Sequence, residues 1–275
     1  MVMNGIKITL LMEDTCQRND LCAEHGLSMY VETSHHKIIM DTGSSELTWE
    51  NASVLGVDIE KADTVVISHG HYDHAGGLLS LNNINNSAKV FIMKTAFGDF
   101  FHGDRYIGID KRIYDIPELN ITNRGVTEID GELTLFSGID GKKLIPRGNS
   151  LLTVRSGGSE LPDSFDHEQY LAVNVDGKKA VLSGCAHNGI LNILDKYKGI
   201  YGEYPDAVIS GFHMMKNGAY SCDEIDEIKQ TAEMLSKMPC VFYTCHCTGE
   251  QAYVIMKRIM GEQLHDIHAG DIITL

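Results

Sequence analysis

Four side chains able to bind a metal fall within six residues at His69-Gly-His71-Tyr-Asp73-His74, directly after the apolar run Val65-Val-Ile67. Imidazole and carboxylate are the ligands that borderline divalent metals take. Residues two apart in extended chain point the same way, so His69 and His71 can share one ion. Asp73 and His74, past the bend, can face a second ion nearby. With 13 histidines and 21 aspartates in 275 residues, such a spacing arises by chance with a frequency on the order of 0.002. Metal binding is therefore the better reading.

Three further segments place reactive side chains where an apolar run gives way to a loop. They are Leu182-Ser-Gly-Cys185-Ala-His187-Asn-Gly189, Ile209-Ser-Gly-Phe-His213 and Tyr243-Thr-Cys245-His246-Cys247-Thr-Gly249. Sites in sheet proteins gather at such strand ends. His187 and His246 each follow a strand and precede a glycine and a helix, as in the first cluster. Either one alone reads equally well as a hydrogen-bonded loop histidine; beside the first cluster, metal ligation is favoured. For His213 the candidate roles are substrate binding or general acid catalysis, against a structural loop histidine.

These residues need strands to deliver them. Patterning predicts strands at 6–12, 27–33, 37–41, 65–67 and 89–93, then at 151–154, 170–175, 179–183, 206–210, 241–244 and 271–275. Asp176-Gly177 is a two-residue hairpin turn between two of them. Helices are expected at 44–55 with Ser44 or Ser45 as N-cap and Gly56 as stop, from near Gly76, and at 190–197. Two more are expected at 223–237, capped by Ser221 or Asp223, and at 250–260. Each half of the chain runs strands first and strand–helix units after, which suits two packed sheets with helices outside. Residues 94–148 show no clear period apart from a hairpin-like 126–139, and read as an insertion, a lid or an oligomer contact.

Composition bounds the partners. Hydrophobic content of 43% and charged content of 22% are those of an ordinary globular chain, read as one domain over 1–275. A net charge of −15 argues against nucleic acid and against anionic membrane surfaces. It does not exclude a small anionic substrate, because metal ions supply positive charge locally. The N-terminus reads as a first strand rather than a signal peptide, and no apolar run reaches the ~18 residues of a membrane span. Seven cysteines, an odd number in a chain that needs no staples, point to the reducing cytoplasm.

Asp41-Thr-Gly43 followed by Ser68-His-Gly-His-Tyr-Asp-His74 and the later strand-end histidines resembles the metallo-β-lactamase superfamily. The resemblance implies an α/β fold of the αββα four-layer sandwich type with a two-metal site at the loop ends. Glu24-His-Gly-Leu-Ser28, Gly184-Cys-Ala-His-Asn-Gly189, Gly211-Phe-His213 and His246-Cys-Thr-Gly249 resemble a subgroup that includes the dihydropterin-ribofuranosylaminobenzene-phosphate synthases. Carried over by residue, His69 and His71 hold the first ion, Asp73, His74 and His246 the second, and Asp41 supports the histidine loop. Two positions depart from the family pattern. Cys185 stands where a bridging aspartate is usual, either as a thiolate bridge or as a buried small hydrophobe, and its presence predicts a weaker second site. The third histidine of the first ion usually comes earlier, where only His102 and His167 are available; His187 is the preferred candidate and His167 the weaker one. The subgroup resemblance also places Glu13, Glu24 and His25 near the site mouth, where most of that loop is expected to be a solvated charged face.

The leading expectation is a metal-dependent hydrolase using metal-activated water on a small, anionic ester, lactone or phosphoester. Asp73 takes part in proton handling besides ligation. Zinc suits the ligands best, and iron or manganese also fits. The alternatives are a synthase joining a pterin pyrophosphate to a ribofuranosyl-aminobenzene phosphate, and a non-catalytic metal or redox sensor built around Cys185. A homo-oligomer is compatible with the sequence.

Overall fold

The computed structural model describes residues 5–275. Two seven-stranded sheets carry the fold. The first runs, edge to edge, Ile272–Thr274, Lys7–Met12, Ser28–Glu32, Lys37–Met40, Thr64–Val66, Lys89–Met93 and Leu119–Thr122. The second runs Leu264–Asp266, Val241–Thr244, Ala207–Ser210, Lys178–Leu182, Gln169–Val175, Leu133–Ser137 and Val126–Glu128. In each sheet the hairpin-joined strands pair antiparallel. The strands reached through helices pair parallel, as the connection lengths require.

Burial on both faces explains the near-continuous apolar runs of the parallel strands. Val66, Met40, Leu182 and Ile209 point between the sheets, where they pack with Leu10, Met29, Leu135 and Leu171. Their neighbours Val65 and Ile39 point the other way, against Trp49, Ala52, Leu78 and Leu81 of the helices Leu47–Val54 and Leu78–Ile84. Val181 and Val208 likewise meet the helices Ile190–Tyr201, Cys222–Leu235 and Glu250–Met260. The layers are helix, sheet, sheet, helix, which is the αββα sandwich expected.

Most element boundaries lie within a few residues of expectation, and the differences have local causes. The first helix begins at Leu47, with Glu46 rather than a serine at its N-cap. Ser44 and Ser45 are engaged elsewhere, donating to the His25 carbonyl and the Glu24 carboxylate. The helix expected near Gly76 is two short ones, Tyr72–Ala75 and Leu78–Ile84. Ser221 does cap its helix, in a reciprocal capping box with Glu224.

The strands Leu264–Asp266 and Ser159–Pro162, and the hairpin Asp99–His102 with Arg105–Tyr106, carry too few apolar residues to show a period. Residues 94–148 are shared among three places. Leu119–Thr122 edges the first sheet and Val126–Ser137 edges the second, while Asp99–Tyr106 joins Leu152–Ser156 and Ser159–Pro162 in a four-stranded sheet. That small sheet is pinned to the histidine loop: His71 bridges Gly108, and the Tyr72 N–H donates to the Ile107 carbonyl at 2.9 Å. Among the described residues no helix is long and apolar enough to cross a membrane.

Candidate metal centre

Asp41, His69, His187, His213 and His246 all follow the C-terminal ends of strands that run parallel within their sheets. The two sheets present those ends to each other, so five loops meet. Asp41, Ala186, His213 and His246 have φ between 50° and 59°, a left-handed conformation rare for residues with a side chain. Such strain gathers at functional sites. Close approach also needs Gly184, where a Cβ would stand 2.3 Å from Ser68 Oγ.

His69 Nε2 and His71 Nδ1 stand 3.0 Å apart, and His187 offers a ligand atom within 4.8 Å of both. His187 Nε2 is buried without a hydrogen-bond partner among the described residues. Its Nδ1 donates to Asn149 Oδ1 at 3.0 Å, which leaves Nε2 as the bare acceptor facing the cluster. His167 differs: its Nδ1 accepts from the Gly70 N–H and its Nε2 faces Asp163, so both nitrogens are engaged. His102 is exposed at the rim.

A second set lies alongside. Asp73 Oδ2 is 3.6 Å from His74 Nε2 and 3.5 Å from His246 Nε2, and Cys185 Sγ is 3.2 Å from His74 Nε2. His246 Nε2 also lacks a partner among the described residues. Around a tetrahedral ion with bonds of about 2.1 Å, neighbouring ligand atoms stand about 3.4 Å apart. The second set, at 3.2 to 3.6 Å, matches that figure, and the first, with 3.0 Å between His69 and His71 and His187 within 4.8 Å, can close around an ion. Cys185 Sγ is close to His69, His74, His187 and His246, between the two sets.

Carboxylates hold these ligands from behind. Asp41 accepts from His74 Nδ1, from Ser68 Oγ and from the Ser68 N–H, each at 2.7 Å. Ser68 Oγ in turn receives His69 Nδ1 at 2.8 Å, which turns His69 Nε2 inward. Asp14 takes His246 Nδ1, and Glu13 takes the His246 N–H. Glu168 accepts from the backbone of His187 and Asn188 at 2.8 and 2.9 Å and from the Tyr170 hydroxyl. The solvated face expected of most of the 13–26 loop holds from Gln17 to Asp20, which are exposed, and fails at its start. Glu13 is 3% exposed, and with Asp14 it grips the His246 loop.

Sequence reading missed Asp14, Glu168 and Asn149 as supports, because each reaches its histidine across at least one strand or loop, and missed Asp163, which faces His167 from four residues away. The one local signal was the dipeptide Glu13-Asp14 at the end of the first strand.

Burial among other imidazoles gives the first set its electrostatic character. It pushes His69 and His187 well below the ordinary histidine range and His71 down to about 3, which leaves neutral rings with lone pairs free to bind metal. At His246 burial opposes charge, but the hydrogen bond to Asp14 and the neighbouring Asp73 carboxylate outweigh it and hold the ring well above its ordinary value. Asp73, for its part, is held far below the carboxylate range: burial opposes this, but His74 and His246 prevail. Burial pushes the Cys185 thiol up.

A cavity of about 660 Å³ opens onto both sets. Ile107, Leu144, Pro146 and Met214 line its walls, and Arg105, Arg147 and Lys216 stand among its polar lining. His213 faces it with its ring 4.1 Å from His187, and its Nδ1 has no partner among the described residues.

The model of the metallo-beta-lactamase superfamily matches residues 23–154. The solved structure of Tm1679, described as a metal-dependent hydrolase of the beta-lactamase superfamily, is 33% identical, with a TM-score of 0.82 over 98% of this chain and 99% of that one. An uncharacterized protein of Methanocaldococcus jannaschii is 27% identical over 92% of this chain and 94% of its own. The 7,8-dihydropterin-6-methyl-4-(beta-D-ribofuranosyl)-aminobenzene-5'-phosphate synthase of the same organism is 27% identical over 98% and 97%. With the four-layer fold and a matching relative along almost its whole length, the chain belongs to the metallo-β-lactamase superfamily.

Proposed function

We propose that the protein is a metal-dependent hydrolase of small anionic esters, lactones or phosphoesters, with His69, His71 and His187 holding one divalent ion and Asp73, His74, His246 and Cys185 a second. The observation that carries this reading is the pair of ligand sets at coordination spacing on the floor of one cavity, with outer imidazole nitrogens locked by Asp41, Asp14 and Asn149. Bound divalent ions polarise a carbonyl or phosphoryl oxygen and lower the pKa of water. Zinc best suits this nitrogen, oxygen and sulfur donor set, and iron or manganese is compatible with it.

The chain's own residues supply the rest. The apolar walls at Ile107, Leu144 and Met214 exclude water around the substrate body, and Arg105 is positioned to meet a negative group. His213, beside His187 with a bare buried nitrogen, is placed to donate a proton to a leaving group or to hold the substrate. Asp73 would help hold the second ion and, as an ionised carboxylate, could accept a hydrogen bond from a water molecule at the centre. The four-stranded sheet, pinned beside His71 and Tyr72, adds His102, Arg105 and Leu152 to the cavity wall.

The test is turnover on a panel of esters, lactones and phosphodiesters, before and after chelation and in His71→Ala. Activity should fall to background in both cases; full activity of the metal-free protein would sink the reading. A second reading is favoured by the Methanocaldococcus synthase relative, which matches along almost the whole chain. Release of pyrophosphate from a pterin pyrophosphate and a ribofuranosyl-aminobenzene phosphate, without hydrolysis of the panel, selects it instead.

A further inference from the structure

We propose that His25 is an additional protein ligand of the second ion, bound through Nε2 and oriented by Asp14. The inference rests on the two-ion reading above and adds to it a residue from outside the strand ends. One Asp14 oxygen takes His246 Nδ1, and the other takes His25 Nδ1 at 2.9 Å. The inner nitrogens of both rings then converge on one atom. His246 Nε2 lies 3.5 Å from Asp73 Oδ2, and His25 Nε2 lies 3.3 Å from the same oxygen. The two rings sit with centroids 4.8 Å apart. These are again the spacings of about 3.4 Å between neighbours in one coordination shell. A carboxylate behind each ring is what metal-bound imidazoles usually have.

Backbone packing sets the position of the His25 loop. The Leu27 N–H donates to the Asp73 carbonyl at 3.2 Å, and Ser44 Oγ donates to the His25 carbonyl. At Gly26 a Cβ would come within 2.7 Å of the Asp73 carbonyl oxygen and 2.9 Å of the Ser44 nitrogen. Only glycine lets this loop lie so close to the Asp73 turn. His25 lines the cavity as well.

The chemistry is complementary to the position of Cys185. A thiol stands where the family places a bridging carboxylate, so the second ion lacks one oxygen donor. His25 would supply a nitrogen donor from the 13–26 loop instead, giving a set suited to zinc or iron rather than to magnesium or calcium. A simpler role is an ion pair in which a protonated His25 neutralises Asp14 and Asp73, and metal binding separates the two.

The full chain is loaded with cobalt and compared with His25→Ala by metal analysis, visible absorption and retention against a chelator. The His25 side chain is 46% exposed, so the substitution leaves the core and the first ion intact. Expected are two ions in the wild type, a second ion released about 10- to 100-fold more readily from His25→Ala, a changed cobalt spectrum, and restoration of that spectrum by added imidazole. A His25→Ala protein with wild-type retention and spectrum overturns the inference and leaves His25 as an ion-pair partner. A wild type that holds one ion overturns the two-ion reading beneath it.

Discussion

Each ligand loop is gripped through its backbone by one buried carboxylate: Asp41 for the 68–74 loop, Glu168 for the 187–188 loop and Glu13 for His246. An ionised carboxylate offers only acceptors, so it can take several N–H groups at once and fix the loop. Glu168→Gln replaces one acceptor oxygen with a donor facing other donors. It should weaken retention of the ion at His187 about 10- to 100-fold, measured by chelator competition, with the fold intact by circular dichroism. The gathering of His69, His71, Asp73, His74, His187 and His246 was legible because side chains able to bind metal recur in the sequence where strands end. The carboxylates behind them were not, because a hydrogen bond across the fold imposes no spacing on the sequence. The burial of Glu13 was not legible for a related reason: charge suggests solvent unless the partner is visible.

At the scale of elements, the strand ends bring the loops together and small residues let them touch. Gly184, in the loop after the strand Lys178–Leu182 of the second sheet, lies directly against Ser68 from the first, and a Cβ there would also lie 3.2 Å from Asp41 Oδ2. Gly184→Ala should therefore push the two halves of the centre apart. Loss of bound metal in a chain whose far-ultraviolet circular dichroism is unchanged is the expected result, read by elemental analysis. The strands Thr64–Val66, Lys178–Leu182, Ala207–Ser210 and Val241–Thr244 were legible as short apolar runs before loops, since burial on two faces leaves no polar alternation. The small sheet around Asp99–His102 was not legible, because Phe100 and Leu152 are among its few buried residues and the rest alternate irregularly. Its place over the site is a tertiary outcome.

At the scale of the molecule, two sheets from the two halves of the chain each deliver candidate ligands, so metal bound between them would couple the halves. Asp41, Asp73, Glu13 and Glu168 are all buried around the centre. Without ions, these carboxylates are held by hydrogen bonds and by the neighbouring histidines. Metal at about a hundredfold excess over its dissociation constant should stabilise the fold by about 2.7 kcal/mol, which raises the melting temperature of a chain this size by about 5–10 °C. Calorimetry with and without chelator checks this. The most direct measurement of the proposed centre is metal stoichiometry in the purified wild type and in His246→Ala. Two divalent ions per chain are predicted for the wild type and one for His246→Ala, with the ion at His69, His71 and His187 retained. Two tightly held ions in His246→Ala, or none in the wild type under metal-replete conditions, would contradict it.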